Sequence, residues 1–181
     1  MRQVGESATI AAAGSARAGR SSSRAGADRM THPTFMTLAI TQAQIGRSEG
    51  GIPIGAVLAD KNGALGIGHN RRVQEGSPVL HAEMDALANA GRLPPAVYHA
   101  STMYTTLSPC AMCSGAILLY QIPRVVIGEN QTFLGEEDLL RSRGVEVVVL
   151  SSVECVAMMR SFIAECPDLW AEDIGEECLP R

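Results

Sequence analysis

Residues 124–150 read RVVIGENQTFLGEEDLLRSRGVEVVVL. The β-branched runs Arg124 to Gly128 and Glu146 to Leu150 predict strands, and the stretch around Glu136 to Arg143 between them reads as helical. Strand, helix, strand is a crossover connection, and such a connection joins parallel strands. Upstream, Thr102 to Thr106 adds a strand of β-branched and aromatic residues. Ile54 to Ala59 and Ala64 to His69 flank the turn-forming segment Asp60-Lys61-Asn62-Gly63, which fits a hairpin. Together these strands predict one five-stranded mixed sheet.

Helices fill the intervals. Met36, Leu38, Ala39, Ile40, Ala43 and Ile45 form an apolar stripe at helical spacing that stops at Gly50-Gly51. Leu80 to Ala90 reads as a helix ended by Gly91, with Pro94-Pro95 as a break. Pro109 is expected to open a helix at its first turn, running to Tyr120; apolar nearly all round, this helix is expected to be buried. Val153 to Glu165 and Pro167 to Gly175 predict two closing helices. The fold class expected is α/β, a three-layer α/β/α sandwich with helices on both faces of the sheet.

A chain of 181 residues suits one ordinary domain, expected over residues 31–181. The hydrophobic fraction of 46% is that of a globular protein. No apolar run approaches the roughly 18 residues that span a membrane. Residues 1–30, rich in Ala, Gly, Ser and Arg, predict a disordered tail. The tail carries five Arg against Glu6 and Asp28, a net +3; with −4 for the whole chain, the remainder is acidic by seven charges. Its composition fits either an organelle transit peptide or an upstream extension of a frame starting at Met30 or Met36. The five cysteines are an odd number and include a C-x-x-C pair, material for a metal site in a reducing compartment rather than a disulfide framework. With no apolar stretch typical of a secretory signal, a cytoplasmic location is expected.

Two short patterns carry chemistry: His81-Ala82-Glu83, and Pro109-Cys110-Ala111-Met112-Cys113. Alone, each has an ordinary explanation: a redox or structural thiol pair, or a polar residue at a helix start. Together they match the known signature of zinc nucleobase deaminases. The physical case is independent of that match. Cys110 and Cys113, three apart at a helix N-terminus, share a face where the dipole favours thiolates. His81 adds a nitrogen ligand. No fourth Cys or His stands at matching spacing, which leaves one tetrahedral position for water and points to catalysis rather than structure. Zinc lowers the pKa of such a water, and Glu83, two residues from a ligand, is the candidate proton carrier. A non-catalytic zinc module is disfavoured by the same open position.

Around these residues the sequence closely resembles the fungal-type cytosine deaminases of the wider cytidine deaminase superfamily, from about Glu49 to Glu176. The likeness includes Glu49-Gly50-Gly51-Ile52-Pro53-Ile54-Gly55, Gly68-His69-Asn70, Leu80 to Glu83, Thr105 to Cys113, Gly128-Glu129-Asn130 and Glu172-Asp173-Ile174-Gly175-Glu176. The resemblance implies a cytidine deaminase-like fold with a C-terminal lid helix, a zinc cofactor and a homodimer. It implies that Asn70 hydrogen-bonds the pyrimidine ring and that Asp173 accepts from the exocyclic amine. It further implies that Phe133 and Trp170 wall the base, and that the backbone at Ser108 and Cys110 contacts the substrate carbonyl and the attacking water. The implied reaction converts cytosine and water to uracil and ammonia. Departures are Ala171, where the pattern has a second aromatic, a loop after Phe133 one residue shorter, and Cys178 to Arg181 beyond the match. Because Ala171 is small, isocytosine, guanine or another amino-heterocycle is an alternative substrate. Deamination of adenosine in tRNA is a weaker one, since nucleic acid calls for a basic surface and the folded part is acidic.

Overall fold

Alternation along the strands sorts side chains to the two faces of one sheet. The computed structural model describes residues 32–177; the tail expected over residues 1–30 lies outside the described residues, as do Cys178 to Arg181. The order is α1 (His32–Ser48), β1 (Gly55–Asp60), β2 (Gly63–His69), α2 (Arg72–Glu75), α3 (Ala82–Ala90), α4 (Pro95–Tyr98) and β3 (Thr102–Leu107). Then come α5 (Ala111–Leu119), β4 (Arg124–Glu129), α6 (Glu137–Ser142), β5 (Glu146–Val149), α7 (Val153–Glu165) and α8 (Pro167–Ile174). Among the described residues five strands form one mixed sheet in the order β2-β1-β3-β4-β5. β1 is antiparallel to β2 and β3, whereas β3, β4 and β5 are parallel, as the crossover predicts.

Val57, Ala59, Tyr104 and Val126 point to one face, where Phe35, Met36 and Ala39 of α1 cover them. On this side α7 lies beside α1, with the Arg47 guanidinium 4.9 Å from the centre of the Phe162 ring. Their neighbours in sequence, Ala56, Leu58, Met103, Val125 and Ile127, point the other way. There they meet Ala82, Ala86 and Leu87 of α3, Ile117 of α5 and Leu140 of α6. Full burial of a side chain such as Leu58 or Ile127 contributes about 1.5 to 3 kcal/mol. Helices thus cover both faces, and the three-layer α/β architecture is the one expected.

Three local expectations change. The helix after β3 begins at Ala111 and not at Pro109, because Cys110 takes the N-cap in an extended conformation, φ −68° and ψ 175°. That helix is also not buried all round: Cys113, Ser114 and Ile117 are buried, but Ala111, Gly115 and Leu119 are exposed, Leu119 by 73%. Third, Pro95 does not merely break the chain; it opens the four-residue α4, its missing N–H costing nothing at a helix start.

Candidate active site

The chemistry-bearing residues sit at the starts of two helices on the same face of the sheet. α3 lies close on β2, because Gly66 and Gly68 have no side chain: a Cβ at Gly66 would stand 2.2 Å from the Ala86 carbonyl oxygen, and one at Gly68 2.5 Å from the Ala86 nitrogen. This close approach fixes the start of α3, where His81 is the N-cap, φ −67° and ψ 164°. Cys110 holds the equivalent place on α5, and Cys113 lies one turn on. Both N-cap side chains are free of capping hydrogen bonds and turn to each other instead. His81 Nδ1 and Cys110 Sγ are 3.5 Å apart, and the ligand atoms of His81, Cys110 and Cys113 all lie within 4.8 Å of one another.

This donor set fits zinc. Two sulfurs at about 2.3 Å and one nitrogen at about 2.0 Å from a tetrahedral ion stand about 3.5 to 3.8 Å apart, which is the spacing of the His81–Cys110 pair. The electrostatics agree. The Cys110 thiol is drawn down to about 4, first by its hydrogen bond with Cys113 and, against its own burial, by His81. Cys113, on the other side of that hydrogen bond and buried, is pushed well above the usual thiol range. Burial opposes charge on His81, but Cys110 and the Asp173 carboxylate outweigh it and raise its affinity for a proton.

Glu83, in the first turn of α3, is 3% exposed and accepts a hydrogen bond from Thr105 Oγ1 at 3.0 Å. Burial, and then the charge of Cys110, raise its carboxyl above the ordinary range. Thr105 was not singled out from the sequence. The signal was there: alternation along β3 puts it between Met103 and Leu107 on the face that packs against α3, where a polar side chain needs a partner.

His81, Glu83, Ser108, Cys110, Phe133, Trp170 and Asp173 line one small cavity, closed further by Ile54, Leu107 and Ile174. Phe133 and Trp170 meet edge to face, ring centres 5.9 Å apart. Trp170, Asp173 and Ile174 share one side of α8; Ala171 lies off that side and does not line the cavity. Asn70 is fully buried behind Asp173, donating from Nδ2 to Asp173 Oδ1 at 2.9 Å. The Ser108 hydroxyl is engaged elsewhere, donating to Glu137 Oε1 at 3.0 Å and accepting from Gly135 N–H at 3.1 Å. It therefore ties down the loop carrying Phe133, and only its backbone is left for a substrate. Glu137, which also accepts from Asn130 and Arg141, was likewise missed by the sequence reading.

The sequence pattern of the family described as "Cytidine and deoxycytidylate deaminase zinc-binding region" matches residues 29–129, a span that includes His81, Glu83, Cys110 and Cys113. The chain belongs to this family. The deaminase is a zinc-dependent hydrolase of amidine C–N bonds. It is 56% identical to a cytosine deaminase of Candida albicans over 142 residues, which is 78% of this chain and 95% of that protein. It is 39% identical to a tRNA-specific adenosine deaminase of Streptococcus pyogenes over 108 residues, 58% of this chain and 67% of that one. In fold the deaminase is similar to a guanine deaminase from Nitrosomonas europaea, with TM-score 0.59 and 22% identity, covering 74% of this chain and 85% of the other.

Proposed function

We propose that this deaminase hydrolyses free cytosine to uracil and ammonia. The observation that carries the reading is the position of Asp173: a carboxylate on α8 shares a tight cavity with Glu83 and the metal donors, and so offers an acceptor to an exocyclic amine. The extensive identity to a cytosine deaminase supports the same substrate.

Zinc held by His81, Cys110 and Cys113 supplies Lewis-acid activation of water when bound. Glu83 takes the proton of the attacking water as its oxygen bonds to C4, and passes it to the ring nitrogen. Glu83 then carries the remaining hydroxyl proton to the amine, which leaves as ammonia when the C4–N bond breaks. Phe133 and Trp170 hold the ring and exclude bulk water, and Asn70 acts from behind the cavity wall by holding Asp173. Phe133, Trp170 and Ile174 close over the base in this reading, which favours the free base over its bulkier nucleoside.

Residues 31–181 act as a single deaminase domain in this reading, with α8 as its lid. The uncovered side of α5, with Ala111, Gly115 and Leu119, supports a homodimer. Cys155 and Cys166, which form no disulfide, and the Cys110–Cys113 metal pair support a cytoplasmic setting. No described helix is long and apolar enough to cross a membrane.

The test is ammonia release from cytosine, cytidine, isocytosine, guanine and an adenosine-bearing tRNA stem-loop, assayed side by side. Cytosine is expected to have the highest kcat/KM. A higher value for any other member of the panel overturns the assignment.

A further inference from the structure

Arg72 stands two residues beyond Asn70, at the first position of α2, and reaches across to α8. Its Nη1 donates to Asp173 Oδ1 at 3.0 Å and its Nη2 to Glu172 Oε1 at 3.5 Å. The Arg72 side chain is 13% exposed and that of Asp173 3%, so the pair is largely withdrawn from water. Arg71 next to it is different: 36% exposed, it pairs with Glu75 on the surface and lies 3.6 Å from Asp85. The Arg72 Nε is buried with no hydrogen-bond partner among the described residues.

Removing two charges from water offsets most of their attraction, and an unpaired buried donor adds to that cost. Such a pair contributes little net stability; what it fixes is orientation. Asp173 Oδ1 receives Asn70 Nδ2 at 2.9 Å and Arg72 Nη1 at 3.0 Å, and His81 Nε2 faces it at 3.6 Å. Two hydrogen-bond donors from the segment between β2 and the start of α3, Asn70 Nδ2 and Arg72 Nη1, therefore meet on a single oxygen with the His81 ring beside it, and the carboxylate plane is pinned. The other oxygen, Oδ2, has none of these contacts.

We infer that Arg72 is a positioning residue: it clasps α8 over the cavity and turns Asp173 so that Oδ2 is presented to the amine of the base. The inference rests on the reading of Asp173 as the amine acceptor. It also explains why one carboxylate can both close the helix and select substrate, because the two tasks fall on different oxygens. Lysine cannot replace Arg72 fully, since a single ammonium does not span Asp173 and Glu172 as the planar fork does.

The experiment compares the wild type with Arg72→Met, Arg72→Lys, Asp173→Asn and the Arg72→Met/Asp173→Asn double variant. It reads kcat and KM for cytosine, zinc per chain, and the emission of Trp170, the single tryptophan of the chain. Arg72→Met is expected to lower kcat/KM by about tenfold or more, with zinc unchanged. Its ligand-free emission should shift to longer wavelength as α8 loosens and the ring meets water. Arg72→Lys should recover only part of both effects, and it carries the test if the methionine variant does not fold. The double variant should be no worse than Asp173→Asn alone, because Arg72 acts through that carboxylate. Losses that simply multiply, or an Arg72 variant within twofold of wild type with unshifted emission, overturn the inference. If the wild type does not turn over cytosine, the substrate reading fails, while Trp170 emission still decides whether Arg72 clasps α8.

Discussion

Asn70 and Asp173 lie 103 positions apart in the chain and meet through a 2.9 Å hydrogen bond from Nδ2 to Oδ1. The contact joins the loop after β2 to α8, whose Trp170, Asp173 and Ile174 line the cavity. A substrate that enters must be read by residues whose arrangement depends on α8 being docked.

Asp173→Ala is therefore expected to lower kcat/KM for cytosine by about ten- to more than a hundredfold, the value of one hydrogen bond to a charged group. Trp170→Ala should act differently, raising KM for cytosine and raising the ratio of cytidine to cytosine turnover by opening a wall. Kinetics on both substrates, side by side, separate the two effects. Equal turnover of cytidine and cytosine by the wild type contradicts the steric selection.

Each of Cys110→Ser and Cys113→Ser is expected to lose most of its zinc, because only three protein ligands hold the ion. Elemental analysis of the purified variants checks this. One equivalent of zinc retained in both would remove the thiols from the metal site.

Glu83→Gln should keep zinc and fold while turnover falls by several orders of magnitude, since an amide can hydrogen-bond but cannot carry a proton. Thr105→Val tests the support behind it. Losing the 3.0 Å bond to a buried carboxylate should cost about 1.5 to 3 kcal/mol, seen as a ten- to hundredfold drop in kcat with little change in KM. An unchanged kcat in Thr105→Val would mean that Glu83 is held by its backbone alone.

Gly68→Ala places a methyl 2.5 Å from the backbone nitrogen of Ala86, which cannot yield as a side-chain end could. A destabilisation of about 1 to 3 kcal/mol is expected, with lower activity as the start of α3 shifts. Thermal melting and zinc content measure both. A variant with wild-type melting and activity would show that α3 can move away from the sheet without consequence.

What the sequence revealed and what it concealed divide along the range of the interactions. His81 and Glu83 are two residues apart, and Cys110 and Cys113 three, so their chemistry is encoded locally. Strand alternation likewise assigns Val57 and Leu58 to opposite faces before any packing is known. The start of α5 was misjudged by two residues because Pro109 suits a first turn, whereas Cys110 keeps an extended backbone that lets its sulfur reach His81. Arg72 was passed over because two successive arginines read as solvated charge; its partner is 101 residues away, beyond any periodicity. The four-residue α2 and α4 were equally hidden, being too short to show a repeat.

The metal donors and Glu83 belong to the rims of α3 and α5, both anchored on the sheet, while Asn70, Phe133, Trp170 and Asp173 come from loops and the final helix. Metal chemistry and substrate choice are thus borne by separate pieces of backbone. Retargeting toward another amino-heterocycle can therefore be attempted by grafting residues 167–177 with the loop around Phe133, leaving the hydrolytic machinery untouched. The same separation limits such a graft: it must carry a matching residue at position 72, or the new helix will arrive without its fastening.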